Sequence, residues 1–165
     1  MGVSAAGKTS VGTELAQRLG VPFVDADDLH PASNLAKMTA GEPLTDDDRA
    51  PWLERVAHAL RASDGAVIAC SALKRAYRDQ LRGDGDIEIA FVLLDVPSDV
   101  LERRLCERAD HFMPASLLDD QLATLERPDP DETDVWSVAA TAPLQSVVDT
   151  VTSLLDITAA RQPGS

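Results

Sequence analysis

The stretch Gly2-Val3-Ser4-Ala5-Ala6-Gly7-Lys8-Thr9 decides the fold. A glycine, four residues and then Gly-Lys-Thr form a loop whose backbone N–H groups wrap a di- or triphosphate, while the following helix aims its positive end at the charge. In such a loop the Lys8 ammonium reaches the β- and γ-phosphates and the Thr9 hydroxyl holds Mg²⁺. Gly2, Ser4, Ala5, Ala6, Gly7, Lys8, Thr9 and Ser10 are therefore the expected phosphate-binding set. A chance match would not be followed by an amphipathic helix, yet Val11, Leu15 and Leu19 recur at helical spacing and Gly20 closes the run. Loops of this type follow a buried strand, whereas here only Met1 precedes Gly2, so the first strand is expected to be missing.

Downstream, short apolar runs alternate with helical periodicities. Val21 to Val24 reads as a buried strand running into Asp25-Ala26-Asp27-Asp28, at the sheet edge where open α/β folds bind ligands. Strand alternation would turn Asp25 and Asp27 to one side, Asp25 to organise Mg²⁺ and Asp27 to accept a hydroxyl proton. The competing reading is an acidic loop that caps a helix.

His30-Pro31 to Thr39 reads as a short helix ended by Gly41 and Pro43. Thr45-Asp46-Asp47-Asp48-Arg49 opens a longer one, with Leu53, Val56, Ala57 and Leu60 inward, and its regular part is expected from Pro51, which suits a first turn. Ala66 to Cys70 is a strand leading through Ser71-Ala72-Leu73-Lys74 into a helix carrying Tyr77 and Leu81. This strand does not end in a carboxylate, where signalling GTPases and motor ATPases place a metal-organising Asp, and the metal role shifts to Asp25. The absence of an Asn-Lys-x-Asp sequence also disfavours a GTP switch.

Ile87 to Leu94 is the next expected strand, and Pro97 starts a helix with Val100, Leu101 and Leu105 inward. Arg103 belongs to its solvated face. Arg104 and Arg108 share one side and lead into Ala109-Asp110-His111-Phe112-Met113, read as part of a mobile lid spanning about 108–126, where arginines could clamp a transferring phosphoryl group. A helix from Pro114, a strand from Val135 to Ala139 and a closing helix with Leu144, Val147, Val148, Val151 and Leu155 complete one domain spanning 1–165. Alternating strands and helices with right-handed crossovers give a three-layer α/β/α architecture around a parallel sheet.

Composition narrows the function further. With 28 acidic against 15 basic residues and a net charge of −13, sequence-nonspecific binding to nucleic acid is disfavoured, because the phosphate backbone would be repelled. A small anionic substrate is compatible if the few cations converge on one cleft. Cys70 and Cys106 lack metal-ligand spacing and read as free thiols in a reducing cytosol. Without a run of about 18 apolar residues, a soluble cytoplasmic protein with no membrane partner is expected.

The middle of the chain carries a more specific signal. Asp25-Ala26-Asp27-Asp28-Leu29-His30-Pro31, Asn34, Lys37-Met38, Gly41-Glu42-Pro43-Leu44, Asp46-Asp47-Asp48-Arg49 and Pro51-Trp52-Leu53 together resemble the gluconate kinase family. Cys70 to Lys74 with Tyr77-Arg78-Asp79, His111-Phe112-Met113, Gln121, Leu125-Glu126 and Asp131 to Asp134 fit the same family. The resemblance implies ATP- and Mg²⁺-dependent phosphorylation of the 6-hydroxyl of D-gluconate, by a homodimer with strand order 2-3-1-4-5. A sister kinase of another hydroxylated acid such as shikimate is the alternative. Matched residue by residue, it implies catalytic roles for Lys8, Asp27, Arg104 and Arg108, gluconate contacts from Asp27, His30, Lys37, Arg49, Lys74 and Arg78, and metal contacts from Thr9 and Asp25.

Individual side chains also admit structural readings: Arg49 as a partner of Asp46 or Asp48, Trp52 as core, His58 as surface or core edge. The chain departs from the family's pattern at Ala5-Ala6, where Ser or Gly is usual, at Asp110, where Gly is common, and in the missing first strand. For the last, two explanations are open. Met1 is an internal methionine of a longer chain, favoured because the rest keeps its binary pattern, or the chain starts here and its nucleotide site is impaired.

Overall fold

The computed structural model describes residues 1–63, 65–107 and 115–161. The phosphate loop runs into α1 (Lys8–Leu19) through Gly7, whose φ of 97° suits a residue without a side chain. The chain continues through β1 (Phe23–Asp25), a 3₁₀ turn (Ala26–Leu29), α2 (Ala32–Thr39), α3 (Asp46–Arg61), β2 (Val67–Ala69) and α4 (Arg75–Arg82). It then forms β3 (Phe91–Asp95), α5 (Ser98–Glu107), α6 (Ala115–Thr124), β4 (Val135–Ala139) and α7 (Leu144–Arg161).

The strands form two parallel pairs. β1 lies on β2 with Phe23 opposite Val67, and β3 lies on β4 with Phe91 opposite Val135. Between the pairs runs the start of the chain: Gly2 N–H donates to the Ser71 carbonyl at 3.1 Å, and Leu94 N–H donates to the Met1 carbonyl at 3.0 Å. The Met1 amino group donates to the Val92 carbonyl. Met1 and Gly2 thus lie between β1-β2 and β3-β4, at the place that the expected order 2-3-1-4-5 gives to its first strand.

Helices cover both faces. Val11 and Leu15 of α1 join Leu101, Leu118, Val147, Val148 and Val151 in one core, against Leu94 and Val138 of the sheet. Trp52, Leu53 and Val56 of α3 join Tyr77 and Leu81 of α4 in the other, against Phe91. This is the α/β/α layering read from the sequence.

Two boundaries differ most from expectation. β3 starts at Phe91 rather than Ile87, because its pairing with β4 begins only there. α3 starts at Asp46, where Thr45 and Asp48 exchange side-chain and backbone hydrogen bonds in a capping box that fixes the first turn and leaves Pro51 inside the helix. Pro51 and Asp47 are both exposed, so water can take the carbonyl that proline leaves without a donor.

Candidate active site

The loop at the head of α1 is built for close approach. Gly2 has a φ of 136°, and a Cβ there would stand 3.2 Å from the Leu94 carbonyl oxygen. Ala5 adopts the left-handed conformation at φ 61°, which costs a residue with a side chain about 1–2 kcal/mol and is held by the surrounding loop. Lys8 Nζ donates to the Val3 carbonyl at 2.9 Å, folding the ammonium back over the loop.

Asp25 ends β1 and faces the loop, accepting from the Thr9 hydroxyl at 2.9 Å and from the Asp27 N–H at 3.1 Å. Asp25 thus caps the turn that follows it, with its other oxygen beside the Thr9 hydroxyl. Asp27 is not on the strand, as alternation had suggested, but in the 3₁₀ turn that Asp25 caps. That turn places it on the wall of a cleft of about 420 Å³, with Ser4, Lys8, His30, Arg49 and Lys74.

The cleft's polar walls are set by packing beneath them. The Trp52 indole is buried, donates from Nε1 to the Ala26 carbonyl at 2.6 Å, and stacks on His30 with ring centroids 4.4 Å apart. It is core, as its sequence context suggested, and it is also the shelf on which His30 rests. Asn34 lies 3.3 Å from His30 Nδ1 and donates to the Asp48 carbonyl at 2.8 Å. Burial, reinforced by the nearby Arg49 charge, pushes the His30 pKa down to about 4, so the ring is neutral at pH 7.

Lys74 and Arg49 of the cleft share one carboxylate. Asp46 accepts from Lys74 Nζ at 2.8 Å and from the Tyr77 hydroxyl, and lies 3.9 Å from Arg49. The hydrogen bond from Lys74 is the main reason its pKa falls below the usual carboxylate range. Lys37 is paired with both oxygens of Asp48 at 2.7 Å and does not line the cleft.

Arg78 is not brought to the cleft either. It is 0% exposed and donates to both oxygens of the buried Glu132, at 2.7 and 2.6 Å, while its Nη1 reaches the Ala72 and Glu126 carbonyls. Glu132 also accepts from Arg82 at 3.0 Å. Arg78 therefore braces the turn after β2, where Ala72 takes a φ of 41°.

Arg104 lies on the other flank of the loop. Its guanidinium donates to the Ala5, Ala6 and Ala140 carbonyls and lines a second cavity of about 310 Å³ with Gly7, Ser10, Ala142 and Leu144. Arg108 and 109–114, which include the lid sequence, fall outside the described residues; the rest of the expected lid is α6, whose Leu118 is buried in the core. Arg103 and His58 are exposed, as read from the sequence.

Gln121 is the cleft residue that spacing did not mark. Its Oε1 accepts from the Ser4 N–H at 2.7 Å, tying α6 to the phosphate loop across the cleft. Its place in the family pattern was the signal for it, since helical periodicity treats it as surface.

Residues 1–128 match a family described as an AAA domain. A gluconokinase from Gluconobacter oxydans is 56% identical over 136 residues, covering 80% of this chain and 76% of that protein. The thermoresistant gluconokinase of Escherichia coli is 45% identical over 152 residues, covering 90% of this chain and 86% of that protein. The solved structure of a gluconokinase from Sinorhizobium meliloti superposes with a TM-score of 0.87 at 44% identity, over 98% of this chain and 91% of that one.

The chain belongs to the gluconokinase family. It is a phosphotransferase with a nucleotide-binding phosphate loop, and a cavity lies on each flank of that loop. One is lined by Lys8, Asp27, His30, Arg49 and Lys74; the other by Arg104, Ala140, Ala142 and Leu144. Among the described residues no helix is long and apolar enough to cross a membrane.

Proposed function

We propose that this chain transfers the γ-phosphoryl group of ATP to the 6-hydroxyl of D-gluconate, giving ADP and 6-phospho-D-gluconate. The observation that carries this reading is the meeting of Lys8, Asp27, His30, Arg49 and Lys74 on one cleft. Lys8 swings from the Val3 carbonyl onto the transferred phosphate. Asp27 orients the acceptor hydroxyl and takes its proton. The gluconate carboxylate replaces Asp46 as the partner of Lys74 and Arg49, and neutral His30 exchanges hydrogen bonds with substrate hydroxyls.

The Thr9 hydroxyl and the Asp25 carboxylate, 2.9 Å apart, are hard oxygen donors of the kind Mg²⁺ prefers, and they would hold it beside the loop. The ion, when bound, neutralises phosphate charge. The cavity beside Arg104 takes the nucleoside end of ATP. On this reading the enzyme works in the cytosol as a homodimer.

The test is a coupled assay of ADP release with ATP and Mg²⁺ across a panel of sugar acids plus shikimate. Release that saturates with D-gluconate is expected. Turnover with shikimate in its place would reassign the acceptor.

A further inference from the structure

The phosphate loop meets the cleft through particular residues. Ser4 and Lys8 line the cleft together with Asp27 and Gln121, whereas Ala5, Ala6 and Gly7 line the cavity beside Arg104. Gln121, on α6, is bonded to Ser4.

The chemistry of that bond fixes how the Gln121 amide is turned. A backbone N–H only donates, so the side-chain oxygen takes the Ser4 N–H at 2.7 Å, and Nε2, on the other arm of the same planar group, stays beside the loop with two N–H donors. Among the described residues, neither is given to a protein acceptor. The helix beneath is firmly seated. Leu118 is 1% exposed in the core with Leu122 and Leu125 packed around it, the Glu126 N–H donates to the Leu73 carbonyl at 2.8 Å, and the Glu126 carboxylate accepts from the Arg75 N–H at 2.6 Å. A donor held on a packed helix and anchored at its partner atom is placed before any ligand arrives.

We propose that Gln121 is a catalytic residue: its Nε2 donates a hydrogen bond to an equatorial oxygen of the phosphoryl group in transfer, while its Oε1 stays on the Ser4 N–H. The role rests on the cleft being the acceptor site. In the transfer the acceptor oxygen bonds to phosphorus, the bond from phosphorus to the bridging oxygen breaks with its electron pair left on ADP, and the hydroxyl proton goes to Asp27. Gln121 exchanges no proton. A neutral amide suits a position that shares the cleft with Asp27, because a further cation would pair with that carboxylate and weaken it as a base, and a further carboxylate would repel the phosphoryl oxygens.

Two variants separate this role from that of a brace. Gln121→Glu keeps an oxygen for the Ser4 N–H but loses the donor, and Gln121→Met loses both. With D-gluconate, Gln121→Met is expected to lower kcat about tenfold or more and Gln121→Glu about a hundredfold or more, with thermal midpoints within about 3 °C of the unaltered chain. Calorimetry with Mg²⁺, ADP and orthovanadate, which stands in for the phosphoryl group in flight, reads the same contact without gluconate. Both variants should weaken the vanadate complex about tenfold or more while holding Mg²⁺ and ADP alone within about threefold of the unaltered chain. If the unaltered chain gives no turnover with gluconate and the vanadate arm still separates the variants, the acceptor assignment fails and the role of Gln121 stands. A brace for the loop would instead loosen ADP and its vanadate complex together. That result, or a kcat for Gln121→Met within about threefold of the unaltered chain, would overturn the proposal.

Discussion

Lys74 and Arg78 stand one turn apart at the head of the same helix, and the two charge clusters they belong to are opposites. Arg78 and Glu132 have side chains 0% and 1% exposed, doubly hydrogen-bonded and closed to solvent. Lys74 and Asp46 are 29% and 61% exposed, on the wall of the cleft. A buried pair cannot trade partners, because either charge left alone in a poor dielectric is costly. A wet pair is weak and exchangeable, so an incoming carboxylate can take the place of Asp46 at little cost. Burial, rather than charge or sequence position, separates the brace at Arg78 from Lys74, the cation to which the proposed reaction gives the substrate carboxylate.

The contrast breaks most directly at Arg78. Arg78→Ala leaves Glu132 buried without its main partner, and an unfolding free energy lower by about 3–5 kcal/mol is expected from denaturant titration. Lys74→Ala should leave the melting temperature within about 3 °C while raising the KM for gluconate about ten- to a hundredfold. If Lys74→Ala melted early and Arg78→Ala only raised KM, the assignment of the two clusters would be reversed.

Acid sharpens the same comparison. The hydrogen bond from Arg78 leads the causes that hold the Glu132 pKa at about 2, against an ordinary value of 4.5. The folded state thus binds fewer protons than the unfolded state in that window, and the stability Glu132 contributes, complete above pH 4.5, is lost as pH falls toward 2. His30, held near 4, is neutral in the folded state while its unfolded counterpart takes a proton near 6.5, so stability also declines as pH falls from 6.5 to 4. Denaturant titrations across pH should show both declines, and His30→Gln should remove the upper one alone.

The smallest expected effect lies in the loop. Ala5→Gly relieves a φ of 61° and should stabilise the chain by about 1 kcal/mol, read as a rise of a few degrees in melting temperature. An unchanged or lower melting temperature would show that the loop holds Ala5 without strain.

Periodicity carried the helices and the layer order, because apolar spacing at α1, α3 and α7 is a local property. It did not carry the start of β3, which is set by the partner strand β4 and not by the apolar run from Ile87. Nor could it sort the cations: Arg78 is claimed by Glu132, 54 residues away, and Lys37 by Asp48. Gln121 reaches Ser4 across 117 residues, a contact with no periodic trace. Asp25 was legible in type and place, and its two hydrogen bonds show why capping and metal readings competed for it.

The central claim is that Asp27 works on the acceptor in the cleft it shares with Lys8. Steady-state ADP release with saturating ATP, Mg²⁺ and D-gluconate, run beside ATP-binding calorimetry on Asp27→Asn, tests it most directly. The account predicts a fall in kcat of about a hundredfold or more with ATP affinity within about threefold of the unaltered chain. An unchanged kcat would contradict it.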